Sequence, residues 1–107
     1  LRVFVFTPHG DVVDLPTDSS PIDFAYAIHS DIGDHMFGVK VNGKQVSLDT
    51  KLHNGDIVEI QTKNASHPTT KWLELAKTTL AKKHIKAVIE GKSAQKSDRK
   101  PRSKTKN

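Results

Sequence analysis

Ser20-Pro21-Ile22-Asp23-Phe24-Ala25-Tyr26-Ala27-Ile28-His29-Ser30-Asp31-Ile32-Gly33 is the stretch on which the fold turns. It opens with a hydroxyl at the N-cap, a proline at the first helical position and a carboxylate three residues on, the chemistry that starts a helix. Ile22, Ala25, Ile28 and Ile32 then recur at spacings of three and four, with Phe24 beside them, making one apolar stripe. Gly33 follows where a helix stop is expected. The spacing predicts a helix over about residues 21–32 with one face to bury.

The flanks supply the surface that buries it. Val3-Phe4-Val5-Phe6-Thr7 is β-branched and aromatic throughout, Pro8-His9-Gly10 is a turn, and Val12-Val13-Asp14-Leu15 returns as a second strand. After the helix, Phe37 to Val41 alternates into Asn42-Gly43, the strongest short hairpin signal, and Lys44 to Leu48 answers it. Asn54-Gly55 turns the chain once more, and residues 56–62 close the unit as a last strand. A mixed sheet carrying one main helix is the economical way to bury these stripes. The order ββαβ(β)β is that of an α+β, ubiquitin-like β-grasp, with first and last strands adjacent, here over residues 1–63.

Residues 64–68 read as a short polar linker ending at Pro68. A helical pattern starts at Thr69, with Trp72, Leu73, Leu75, Ala76, Leu80, Ile85, Val88 and Ile89 as its apolar members. The stripe is interrupted at Lys82-Lys83-His84, which leaves two helices or one bent helix open. Residues 92–107 hold no aromatic or branched aliphatic side chain and are expected to be a disordered basic tail.

Charge divides along the chain. Residues 1–63 carry nine acids against five bases, a balance of −4. Residues 64–91 have five lysines and two glutamates, and the tail has seven bases with Asp98 as its one acid. The formal +5 of the whole chain is therefore a property of its C-terminal third, which should bind any polyanion weakly and in a salt-dependent way. No apolar run approaches a transmembrane length, so no membrane is expected as a partner. Cysteine is absent, which excludes disulfides and thiolate metal sites and fits a cytosolic protein. The chain begins at Leu1 and its one methionine is Met36, as expected of a piece cut from a longer protein.

Catalytic chemistry finds little support. The six histidines include no pair at metal-ligand spacing along one helix. His29-Ser30-Asp31 has the residue types of a nucleophilic relay, but consecutive helical residues point about 100° apart and cannot form one. The glycines are scattered singly at turns, so there is no phosphate loop. We expect no catalytic residue, no metal and no cofactor in this piece. His29 keeps two readings: a histidine suited to the carbonyl end of its helix, or an exposed ring available to stack on a base. Trp72 is expected to pack its helix onto a neighbour.

Four segments, Val3 to Asp11, Pro21 to Ser30, Gly38 to Lys44 and Asn54 to Ile60, closely resemble in wording and order the TGS domain of RelA/SpoT-type alarmone enzymes. The series VFTPxGD, PIDFAYAIH, VKVNGK and NGDIVEI spans residues 2–62. Trp72-Leu73 and Lys77 to Lys86 resemble the segment joining that domain to the helical domain beyond it. The resemblance implies a β-grasp and a cytoplasmic multidomain parent that makes or hydrolyses guanosine tetra- and pentaphosphate in catalytic domains upstream. The module itself would be regulatory. Its partner would be the CCA 3′ end of deacylated tRNA on the ribosome in RelA-like members, or acyl carrier protein in SpoT-like ones. Carried over by position, the histidine of the A-I-H-[ST] motif is His29, the implied contact to the terminal bases, and Arg2 matches a basic position near the same surface. The chain departs from the family after the helix, reading Gly33-Asp34-His35-Met36 where many members have G-H-R-C, and it carries lysines downstream where arginines are common. TGS domains of threonyl-tRNA synthetases and Obg-like GTPases are the competing relatives, disfavoured by the F-T-P-x-G-D and D-F-A-Y-A-I-H wording.

Overall fold

A computed structural model of the chain describes residues 1–91. The basic stretch 92–107, read above as a disordered tail, lies outside the described residues. The elements run β1 (Arg2–Phe6), β2 (Val12–Pro16), α1 (Pro21–Ile28), α2 (Ser30–His35), β3 (Met36–Val41), β4 (Lys44–Val46), β5 (Val58–Thr62), α3 (Thr70–Leu75) and α4 (Thr79–Ile89). β1 and β2 form the antiparallel hairpin, with Val3 opposite Leu15 and Val5 opposite Val13. β3 lies between β4 and β5, antiparallel to both. A parallel bridge between Phe6 and Ile57 joins the two sheets. There the Phe6 N–H donates to the Asp56 carbonyl at 2.8 Å and the Gly55 N–H to the Phe4 carbonyl at 2.9 Å. First and last strands are thus neighbours, and the strand order β2-β1-β5-β3-β4 is the β-grasp. Asn42 and Gly43, with φ of 53° and 84°, make the left-handed pair that lets β3 turn tightly into β4.

Helix α1 is buried on two sides. Phe24 joins Val3, Val5, Leu15, Val39, Leu52 and Val58 in a core between helix and sheet. Ile22, Ala25 and Tyr26 join Met36, Trp72, Ala76, Ala81 and Ile85 in a second core between α1 and the C-terminal helices. Trp72 packs as expected, 7% exposed. Each large apolar side chain buried in this way contributes about 1.5–3 kcal/mol, so α3 and α4 cover a surface of α1 that would otherwise face water.

The structure corrects the expected helix over residues 21–32. α1 ends at Ile28, and His29 is extended, with φ −169° and ψ 143°, before α2 begins. Gly33 is not a helix stop but lies inside α2, pressed on the Tyr26 ring: a Cβ there would stand 2.4 Å from a ring carbon. One straight rod would carry Gly33 away from Tyr26, whereas the kink at His29 folds α2 back onto it. The C-terminal pattern also breaks at a different place from its polar interruption. α3 ends at Leu75 and α4 starts at Thr79, so Lys82-Lys83-His84 is continuous helix.

Candidate functional site

The break between α3 and α4 is imposed by Asp23. Its carboxylate closes the capping box of α1, accepting the Ser20 N–H at 2.9 Å. The same group accepts the backbone N–H of Lys77 at 2.9 Å, the backbone N–H of Thr78 at 2.8 Å and the Thr78 hydroxyl at 2.9 Å. Thr78 is the N-cap of α4. Two helix N-termini therefore converge on one carboxylate that is 1% exposed. Partial positive charge at both ends offsets its loss of solvent. Further along the same helices the Tyr26 ring stacks on His84 with centroids 5.7 Å apart. The Tyr26 hydroxyl donates to Asp34 at 2.7 Å. Burial, reinforced by that carboxylate, pushes the Tyr26 phenol well above its ordinary range. The acid at position 34, where the family wording departs, is engaged by Tyr26, while His35 faces the Ser66 carbonyl and Met36 is buried.

His29 occupies the joint of this frame. Its N–H closes α1 on the Ala25 carbonyl at 3.2 Å, and its carbonyl accepts the Gly33 N–H of α2 at 3.1 Å. Its ring Nδ1 accepts the Asp31 N–H at 3.0 Å, which caps α2. That bond fixes the ring with Nε2 carrying the proton, and the side chain remains 63% exposed. The histidine is a helix-end residue and a presented ring at once.

Beside it opens a depression of about 570 Å³ where β5 runs on past the end of β1. Phe24, Ile28, Ile32, Val58 and Ile60 contribute apolar lining, and His9, Asp11 and Glu59 contribute polar groups. Ile28 and Ile32, expected in the helix stripe, flank His29 in sequence and line this depression. Arg2 is elsewhere. Its guanidinium pairs with Asp14 at 2.8 Å at the Pro16 end of the hairpin, the opposite end of β1 from the Thr7–Asp11 turn that borders the depression. The structure therefore does not bring Arg2 and His29 together. Asp23 was legible from sequence as a cap and no more; no spacing distinguishes it from an ordinary first-turn acid. Among the described residues no helix is long and apolar enough to cross a membrane.

The frame is thus a β-grasp domain with two helices docked behind its central one. Residues 3–62 match the TGS domain family, and the chain belongs to it. It is 50% identical over 96 residues to a GTP pyrophosphokinase of Myxococcus xanthus, a match covering 90% of this chain and 13% of that protein. It is 49% identical over 84 residues to a probable guanosine-3′,5′-bis(diphosphate) 3′-pyrophosphohydrolase of Synechocystis, covering 78% of this chain and 11% of the relative. With the bifunctional (p)ppGpp synthase/hydrolase RelA of Mycobacterium tuberculosis it shares 45% identity over 87 residues, covering 79% of this chain and 12% of the relative. The chain therefore spans about an eighth of these relatives. A 96-residue match in a chain of 107 takes in α3 and α4 as well as the TGS core.

Proposed function

We propose that this chain is the regulatory module of a cytoplasmic (p)ppGpp synthetase/hydrolase and senses the free CCA 3′ end of deacylated tRNA on the ribosome. Synthesis or hydrolysis of the alarmone belongs, in this reading, to other domains of the parent chain, in keeping with what the relatives are named for. The observation that carries the reading is His29: a ring more than half exposed, held in one tautomer by its own helix cap. Such a ring stacks on a base without first paying an ordering cost, and stacking on an aromatic ring is worth about 1–3 kcal/mol per base. The neighbouring depression supports it. Its apolar lining suits nucleobase faces. Its acidic groups, Asp11 and Glu59, repel phosphate but suit the exocyclic amines of cytosine and adenine. Arg2 is the second contact the family implies; held by Asp14 at the far end of β1, it engages a different part of the RNA.

The test is a parent enzyme carrying His29→Glu in cells starved of amino acids. The alarmone response is expected to fail while the purified parent retains its basal catalysis; a normal response would remove the reading. Docking of acyl carrier protein is the second reading, favoured by the five lysines of residues 64–91, since an acidic carrier is drawn to a basic face.

A further inference from the structure

We infer that the outward face of α4 is a second binding site, a lysine stripe that takes the sugar-phosphate backbone of a double-stranded RNA stem. This rests on the proposed reading of His29 as the contact for the stem's free 3′ end. Lys82, Lys83 and Lys86 are exposed, and the helix buries Ala81 and Ile85 on its other side. At about 100° per residue the three lysines fall within an arc of about 100°. Among the described residues neither these three nor Lys71 and Lys77 forms an ion pair with a carboxylate. Nine of the chain's twelve acids lie in residues 1–63 instead. Unpaired ammonium groups on a helix are free to replace the counterions of a polyanion.

The helix is also aimed. Asp23 holds its N-cap at Thr78, and Tyr26 stacks on His84 further along, so α4 runs beside α1 in the same direction. Its lysines thus advance toward the end of α1 at which His29 stands. A stem lying along α4 with its 3′ overhang leading would deliver that overhang to His29.

RNA is favoured over an acidic protein by what the stripe lacks. Protein interfaces place apolar and aromatic groups at their centre and are depleted in lysine. Here the exposed apolar residues of α4, Leu80 and Ile89, fall on opposite flanks of the stripe. Lysine is a point charge without the planar fork of arginine, which suits contact with phosphates regardless of sequence.

The test compares the 107-residue chain with its Lys82→Gln/Lys83→Gln/Lys86→Gln and His29→Ala variants. Two RNAs are used, a CCA-ended acceptor minihelix and the same stem cut blunt, each titrated over a range of salt. Residues 92–107 are common to all the proteins and cancel in the differences. The triple variant is expected to lose more than tenfold in affinity for both RNAs. Its slope of log Kd against log salt should be shallower by about two to three, with the preference for the CCA end kept. A Lys82→Arg/Lys83→Arg/Lys86→Arg variant, which keeps all three charges, should retain the slope. His29→Ala should abolish the preference and leave the slope; a preference that survives would sink the sensor reading alone. An unchanged slope in the glutamine variant overturns the stripe. So does a loss confined to acyl carrier protein, titrated in parallel.

Discussion

The two ring nitrogens of His29 have different fates. Nδ1 is spent on the Asp31 N–H, and Nε2 stays with the exposed part of the ring. Sequence chemistry set cap against contact as alternatives because it assumed one continuous helix. In that helix the residue would be one side chain among several in a last turn; the extended backbone at His29 instead lets the ring cap the start of α2 and still stay more than half exposed. Asp34 was equally opaque, since nothing in Gly33-Asp34-His35-Met36 shows that its carboxylate faces the Tyr26 hydroxyl eight positions earlier. That contact has a pH consequence. An unfolded phenol ionises near about pH 10, whereas Tyr26 in the fold keeps its proton to higher pH. Above that pH the native state binds more protons than the unfolded one, so stability falls as pH rises. Urea unfolding midpoints measured from pH 8 to 11 should drop more steeply for the native chain than for Tyr26→Phe. Parallel curves would show that the phenol does not couple to folding.

Between residues and whole molecule stand the two helix N-termini that share Asp23. The start of α1 was legible in full, because Ser20, Pro21 and Asp23 carry a local signal and the capping box forms as read. The start of α4 was not. Its determinant lies 55 residues upstream of the Thr78 N-cap, and the local pattern pointed to the lysines as the interruption. Asp23→Asn keeps the shape and replaces one acceptor oxygen by a donor, leaving buried N–H groups without a partner. The expected loss is about 1–3 kcal/mol of global stability, read as a lower urea midpoint. Trp72, the chain's single tryptophan, packs against α1 and reports the undocking of α3 by fluorescence. A variant as stable as the native chain would mean that apolar packing alone docks the C-terminal helices.

Across the whole molecule, strand order and core followed from pattern. The β-branched runs, Asn42-Gly43 and the stripe of α1 leave few other ways to bury the same side chains. The candidate surfaces were less legible because they depend on what faces what. The depression exists only where β5 outruns β1, and the lysine stripe matters only because α4 is held in one direction. In the proposed reading the acidic module and the basic helix on its back divide the labour, with α4 gripping the stem and His29 reading its end. The most direct test is a titration of the isotope-labelled chain with a CCA-ended minihelix and with its blunt counterpart, followed by NMR. With the CCA-ended RNA alone, the expected result is that the His29 ring, Ile28, Ile32 and Thr7 shift, while α4 resonances shift with both. If the His29 ring and its neighbours stay unmoved at saturation by the CCA-ended RNA, the reading of this module as an RNA-end sensor is contradicted.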